Sequence, residues 1–340
     1  MRIAVYYGGT SMERDVSLIS GKMIGEELKT AGHDVIFVDP AFPVEQVRHQ
    51  VNNNLEIEHE PPSLEEIGEL DHSNIFRILL DKTIAGCDFH FIGLHGGIGE
   101  NGLLQGMMEH LGYRFNGSGY SASALAMDKH LTKQIMHAQA ISTPDWIELN
   151  ATEYTGNQND ILEMIADRFQ LPCVIKPNSQ GSTIGLSIVE NVEGIREAVS
   201  TAFQFDEHIL VEQFIPGREI TATVLGEDAC PLVEIKPTHQ YYDYECKYTS
   251  GMTEYETPAQ LPDLVGQRIR HSAVNLFKGI GCSGYARVDF RVNADGEAFC
   301  LEINTLPGMT KTSLVPKSAA AAGISFPALL DKIITLGMQK

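Results

Sequence analysis

The stretch from Gly284 to Leu314, GYARVDFRVNADGEAFCLEINTLPGMTKTSL, constrains this chain more than any other. Arg287, Asp289 and Arg291 alternate with Ala286, Val288, Phe290 and Val292, the period of a half-buried strand. Asp295-Gly296 is a strong two-residue hairpin signal, and Ala298 to Asn304 reads as the returning strand. A turn centred on Asp295-Gly296 sets Asp289 opposite Glu302 and Arg287 opposite Asn304. Two carboxylates directly opposed repel, so a cation is expected between them. Oxygen ligands at this spacing suit Mg²⁺, which takes one or two carboxylates together with substrate phosphates. The alternative is an ordinary hairpin with a polar outer face, where one residue of slip separates the pair. Beyond the hairpin, Leu306-Pro307-Gly308-Met309-Thr310 cannot continue a strand, and Gly308 permits close approach of backbone to a ligand. Thr312-Ser313-Leu314 then opens an Ala-rich helix, supplying N–H groups and hydroxyls of the kind that bind anions.

A chain of 340 residues holds two or three domains. Its hydrophobic content of 43% with 21% charged residues is that of a soluble globular protein. No apolar run reaches the ~18 residues of a transmembrane helix. The N-terminal MRIAVYYGG lacks a signal peptide's basic region and long apolar stretch, so a cytoplasmic protein with no membrane partner is expected. Cys87, Cys173, Cys230, Cys246, Cys282 and Cys300 show no CxxC spacing and read as buried thiols rather than disulfides or zinc ligands. The net charge of −20 argues against a nucleic-acid partner. An anionic substrate therefore needs local cations, which gives weight to lysines inside clefts.

From the N-terminus, Ile3 to Tyr7 reads as a strand, Gly8 to Ser11 as a turn, and Val16 to Leu28 as a helix. This is the start of an open α/β sheet with a crevice at the strand's carboxyl end. Glu13 at the helix start is either a cap or, in that crevice, a partner for a substrate ammonium. Asp34 to Asp39 and Cys87 to Leu94 are further strands, and the acidic 55–72 segment reads as a surface excursion. The second strand ends in HGGIGENG, four glycines in eight residues, where His95 is either functional or a solvated loop histidine. Leu103 to Leu111 is a helix and Asn116 to Gly119 a linker. Ser121 to Ala140 is expected as one helix with Lys129 near its middle, by default a surface charge.

Leu171 to Pro177 is a strand ending in Lys176, joined by the Gly/Ser-rich 178–185 loop to a strand at Leu186 to Val189. Such a loop can close over phosphates, although it is not a Walker loop. His208 to Phe214 carries one interior acid, Glu212, and Arg218 to Val224 resumes the alternation after Pro216-Gly217. Residues 236–255, with five tyrosines, read as a long mobile loop. Ser272 to Ile280 is a helix.

Taken in order, GGTSMERDVSLISG, HGGIGENGLLQG, GSGYSASALAMDKHLTK, VIKPNSQGSTIG, VEQFIPGREITATVLG, YYDYECKY, GYARVDF and LEINTLPGMTKTSLVP resemble the D-alanine–D-alanine ligases of the ATP-grasp superfamily along nearly the whole chain. The resemblance implies an α/β fold with α+β elements: an N-terminal open parallel α/β domain (1–118), a central ATP-grasp domain (119–213) and a C-terminal catalytic ATP-grasp domain (214–340). It implies ATP and D-alanine as substrates, two Mg²⁺ ions (or Mn²⁺), a homodimer, and an acyl-phosphate route to D-alanyl-D-alanine for peptidoglycan. By position, Asp289, Glu302 and Asn304 would hold the metals, and Arg287 and the Gly308 N–H would balance developing negative charge. Lys129, Lys176 and Lys247 would hold phosphates, and Glu212 and Glu219 would meet adenine and ribose. Glu13, with His95 nearby, would take the first alanine's ammonium, while Ser313 and the Leu314 N–H would hold the second alanine's carboxylate. Tyr248, Ser182 and Glu13 would close the site, and Tyr248 points to an amine as the acceptor.

The chain departs from the family pattern at Asn101, where an aspartate is expected, at Gln180, where an acid is common, and in the longer 55–72 segment. Two alternatives remain at this stage: the same mechanism with D-serine, D-lactate or another amino acid as second substrate, and a nucleotide-binding homologue without turnover.

Overall fold

The computed structural model describes residues 1–47, 61–238, 247 and 251–340. Tyr248 and Cys246 lie outside the described residues, as does most of the middle of the tyrosine-rich segment. Three sheets organise the rest.

The first is parallel, β1 (Arg2–Tyr6), β2 (Asp34–Val38) and β3 (Phe89–Ile92) in the order β2-β1-β3. Its central strand is buried from Ile3 onward, as a strand covered on both faces must be. The Arg14–Thr30 helix covers it, and so does the last helix of the chain, Phe326–Met338. Leu329, Leu330, Ile333 and Ile334 join Ile3, Val5, Phe89 and Phe91 in one apolar cluster, so the C-terminus completes the N-terminal core.

The second sheet contains β4 (Trp146–Asn150), β5 (Cys173–Pro177), β6 (Ser187–Val189) and β7 (His208–Gln213), antiparallel in the order β4-β7-β5-β6. Cys173, Ile175, Ile209 and Val211 pack beneath it with Ile165, Ile195 and Val199 from flanking helices. The third sheet is also antiparallel: β8 (Arg218–Leu225), β9 (Asp228–Ala229), β10 (Val233–Pro237), β11 (Thr253–Glu256), β12 (Tyr285–Val292) and β13 (Ala298–Asn304). Its path is β11-β10-β8-β12-β13, with β9 on β8. Val288, Phe290, Val292, Ile220, Ala222 and Val224 pack under it against Ile269, Leu276 and Phe277 of the Asp263–Ile280 helix. Period-two alternation then turns Arg287, Asp289, Arg291, Glu219 and Thr221 to the other face, toward the second sheet.

Several expectations are corrected. Tyr120–Met127 and Lys129–Ala138 are two helices rather than one. Asp128 separates them, its side chain accepting the Leu131 N–H as an N-cap. Lys129 therefore opens a helix instead of sitting in the middle of one. The helix expected from Ser272 begins at Asp263. The tyrosine-rich segment is bounded by strands, since Val233–Pro237 pairs with Thr253–Glu256. Within the acidic excursion, Leu64–Gly68 is a short helix closed by a reciprocal Ser63–Glu66 capping box. Among the described residues the cysteines are free thiols, three buried and two half-buried. No single described helix is long and apolar enough to cross a membrane.

Candidate active site between the two antiparallel sheets

The hairpin places its acids as the sequence predicts, but by a different route. The loop occupies Ala294-Asp295-Gly296, three residues rather than two, closed by the Asn293 N–H on the Glu297 carbonyl with Gly296 at φ +76°. That extra residue alone would set Glu302 opposite Val288, facing the core. A bulge between Asp289 and Phe290 on one strand and Glu302 and Cys300 on the other, with Leu301 as the additional residue, restores the register. Asp289 thus pairs with Glu302, and Arg287 with Asn304.

Four cations answer this carboxylate pair. Arg287 grips Asp289 through Nε, 3.0 Å from both oxygens, and through Nη2 at 2.8 Å. Thr221 on β8 donates its hydroxyl to Asp289 Oδ1 at 2.7 Å. Lys129 Nζ lies 3.5 Å from Glu302 Oε2. Burial pushes the Glu302 carboxyl up, but Lys129, Lys176, Lys247 and Arg287 outweigh it and hold the group at about 2. Lys129 also donates to the Gln180 carbonyl at 2.6 Å, tying the opening of its helix to the 178–185 loop.

Lys176 rises from the second sheet, 2.9 Å from Glu212 Oε2. Glu212 is fully buried and also lies 3.1 Å from Lys133. Burial raises the Glu212 carboxyl, and the two lysines more than reverse that rise. Glu219 faces the cleft from β8 with Arg291 Nη1 at 3.4 Å. Burial and the charge of Asp289 push it up to about 7, against the pull of Arg291 and Lys247. A carboxyl raised in the folded state favours folding below its unfolded pKa, and that contribution disappears as pH rises through about 7. The stability of Glu219→Gln relative to wild type should therefore be more favourable at pH 8 than at pH 4.5 by about 3 kcal/mol in the ligand-free protein, read by denaturant titration at both pH values.

The 178–185 loop covers these groups. Ser182 and Thr183 adopt left-handed φ values of +49° and +65° without being glycine. They are also the residues that reach across: the Ser182 hydroxyl donates to Glu13 Oε1, and Lys247 Nζ donates to Thr183 Oγ1 at 2.8 Å. Strain held at such contacts is characteristic of ligand clamps. Ser182, Thr183 and Lys247 line a cleft with Lys129, Lys176, Glu212, Glu219, Arg287, Asp289 and Glu302, floored by Leu301 and walled by Val174, Ile184, Ile188 and Phe214.

Glu13 precedes the Arg14–Thr30 helix but makes no side-chain cap, so the capping alternative is excluded. Arg14 turns away to pair with buried Asp39 at 2.7 Å. Glu13 is left between two glycine loops. A Cβ on Gly96 or Gly181 would stand 2.7 or 2.6 Å from its Oε2 and would displace the carboxylate. Burial and then Glu100 raise the Glu13 carboxyl, while Ser182, His95 and Lys247 lower it. His95 is buried, its ring nitrogens 3.0 Å from the Leu306 carbonyl and the Ser20 hydroxyl, with Glu100 3.4 Å from Nδ1.

Asn304 Oδ1 accepts the Leu306 N–H at 2.9 Å, and Asn304 shares a second small cavity with Glu302, Lys129 and Glu100. Gly308 and Ser313 lie together, and neither they nor Leu314 line either cavity. Ser313 precedes the Leu314–Ala321 helix, accepts the Thr310 N–H, and stands 3.1 Å from where a Cβ on Gly308 would be.

Sequence reasoning missed Glu100, Lys133, Thr183, Thr221 and Arg291. Thr221 and Arg291 lay two positions from acids already singled out, and Lys133 four positions, one helical turn, after Lys129.

The D-ala D-ala ligase N-terminus family model matches residues 2–118, and the D-ala D-ala ligase C-terminus model matches residues 135–335. The chain is 38% identical to a D-alanine–D-alanine ligase of Pelotomaculum thermopropionicum, over 100% of this chain and 97% of that protein. It is 39% identical to one of Syntrophotalea carbinolica, over 98% and 95% of the two chains. Its fold matches the crystal structure of the Bacillus anthracis ligase complexed with ATP at a TM-score of 0.75, with 32% identity, covering 100% of this chain and 97% of that one. Two matched domain models, relatives aligned end to end and a three-sheet ATP-grasp architecture agree, and the chain belongs to the D-alanine–D-alanine ligase family.

Proposed function

We propose that this protein joins two D-alanines at the expense of ATP, with the cleft between the two antiparallel sheets as its active site. The observation that carries the reading is the opposed Asp289–Glu302 pair, facing the cleft between the two antiparallel sheets and surrounded by Arg287, Lys129, Lys176 and Lys247. The donor set of two carboxylates and the Asn304 amide is all oxygen and fits Mg²⁺ or Mn²⁺. Asp289, Glu302 and Asn304 would hold two ions, and when bound these supply charge neutralisation of the nucleotide phosphates. Lys129, Lys176 and Lys247 bind the phosphates directly, and Glu212 and Glu219 receive the adenine amine and the ribose hydroxyls.

The first D-alanine enters with its ammonium at Glu13. An ammonium near Glu13 and Glu100 relieves both their burial and their mutual repulsion, which is why an acid pair can be maintained there. Its carboxylate oxygen attacks the γ-phosphorus, the bond to the bridging oxygen breaks, and ADP leaves. The second D-alanine, its carboxylate at Ser313 and the Leu314 N–H, attacks the acyl carbon through its amine. The carbonyl oxygen takes up negative charge beside Arg287 and the Gly308 N–H, then re-forms the double bond as phosphate departs. The departing phosphate takes up the amine's proton, and D-alanyl-D-alanine remains. Ser182, closed against Glu13, excludes water that would hydrolyse the acyl phosphate.

The domain division proposed is 1–118, 119–213 and 214–340, with the Phe326–Met338 helix packed back on the first sheet. The protein is proposed to act in the cytoplasm as a homodimer. An exposed apolar groove lined by Phe76, Leu80, Leu103, Met107, Leu111 and Tyr120 supports the dimer. Sedimentation at twice the chain mass is expected, and a monomer at all concentrations would remove that assignment.

Incubation with ATP, Mg²⁺ and D-alanine, with D-serine and D-lactate as competing acceptors, tests the reaction. The mass of D-alanyl-D-alanine, formed one for one with phosphate, is expected. Exclusive formation of another product, or ATP binding with no D-alanine-dependent phosphate release, would overturn it.

A further inference from the structure

Lys133 takes no part in the mechanism above, yet its side chain is wholly inaccessible to solvent. A buried ammonium is costly unless every proton is bonded. Lys133 Nζ donates to the Thr143 hydroxyl at 2.7 Å and the Pro144 carbonyl at 3.3 Å, and forms an ion pair with Glu212 Oε1 at 3.1 Å that falls outside hydrogen-bond geometry. The Trp146 indole closes over it, the ammonium 5.4 Å from the ring centroid.

These partners belong to different parts of the cleft. Glu212 is on β7 and holds Lys176 with its other oxygen. Thr143 and Pro144 lie on the connector that leads from the Lys129–Ala138 helix to β4. The residue before them, Ser142, accepts the Cys300 N–H at 2.8 Å, at the bulge that turns Glu302 toward the cleft. One ammonium thus ties the Glu212–Lys176 pair of the second sheet to the connector that braces the hairpin of the third. Burial, offset by Glu212, lowers the Lys133 ammonium, as expected where two lysines share one carboxylate.

We propose that Lys133 is a positioning residue for nucleotide binding: it holds one oxygen of Glu212 so that Glu212 and Lys176 present fixed groups to ATP. The inference rests on the reading that Glu212 and Lys176 face the nucleotide. Without Lys133 both oxygens of Glu212 are left to Lys176, which already lies 2.9 Å from Oε2, and the tightened pair withdraws each group from its ligand.

The test is a cycle of Lys133→Met, Glu212→Gln and the double variant, with steady-state kinetics for ATP and D-alanine and melting curves for each. Lys133→Met should raise KM for ATP about tenfold, the lower end of what losing an outer-sphere partner costs, with KM for D-alanine within twofold of wild type. In the Glu212→Gln background the same change should add less than about twofold, because its target is already gone. Thr143→Val, which keeps Lys133 and removes one anchor, should raise KM for ATP about threefold and serves if Lys133→Met does not fold. Unchanged KM for ATP in folded Lys133→Met or in Thr143→Val, or additive effects in the cycle, would overturn the proposal while leaving the role of Glu212 intact. If Glu212→Gln itself leaves KM for ATP unchanged, the nucleotide assignment of Glu212 fails, and the role of Lys133 fails with it.

Discussion

Glu302→Gln should reduce D-alanine-dependent phosphate release by roughly 10²–10³, the range for losing one preorganised electrostatic partner of a transition state. The substitution keeps the size and the neighbours of the side chain and removes one charge. That charge is what Lys129, Lys176, Lys247 and Arg287 share, and their sum holds the Glu302 carboxyl at about 2. The carboxylate's contribution to stability is present above its unfolded pKa and is lost only as pH falls through about 2, so the wild-type site is fully ionised at neutral pH. Loss of the charge should cost the fold about 2 kcal/mol or less, because Glu302 sits on a sheet whose other face carries the apolar packing. Turnover should therefore fall far more than the melting temperature. Wild-type phosphate release from this variant would remove the carboxylate pair from the mechanism.

Arg287→Met should lower kcat by a similar factor, roughly 10²–10³, with a smaller change in KM for ATP. The guanidinium holds Asp289 through three contacts of 2.8 to 3.0 Å. In the proposed mechanism it does two things: it offsets the repulsion between directly opposed Asp289 and Glu302, and it places a fixed positive charge where the acyl oxygen becomes negative. Lysine cannot reproduce the planar fork, so Arg287→Lys should recover less than a tenth of wild-type kcat. Single-turnover measurements separate the two tasks. Formation of the acyl phosphate with failed coupling locates Arg287 at the tetrahedral step, whereas a loss confined to ATP affinity would contradict its role in charge stabilisation.

Much of the site was legible in the sequence because it is built from local patterns. Alternation along Tyr285–Val292 and Ala298–Asn304 determined which face each acid occupies, and the opposed pair follows once the register is known. The register itself came out right through two deviations that cancel, a loop one residue longer than expected and a compensating bulge at Leu301. Neither shows in the alternation, because Leu301 reads as one more apolar strand residue. The break at Asp128 was hidden similarly: the apolar pattern runs through it, and only the cap on the Leu131 N–H interrupts the helix.

Long-range features were not legible. Residues 326–338 form an apolar helix, yet nothing local announces that they pack on a sheet formed by the first hundred residues. β4 was missed because its alternation is weak: Trp146, Ile147 and Glu148 are all half-exposed. The early turns of the Asp263–Ile280 helix follow Pro262, which offers no side-chain cap to signal their start. Lys133 and Glu100 became visible only when tertiary contact brought them to Glu212 and His95.

The most direct test of the central claim is a crystal structure of the protein with ADP and Mg²⁺. The account predicts nucleotide between β5–β7 and β8–β12, with a metal ion about 2.1 Å from oxygens of both Asp289 and Glu302. Nucleotide bound elsewhere, or phosphates held by the lysines with no ion at that carboxylate pair, would contradict it.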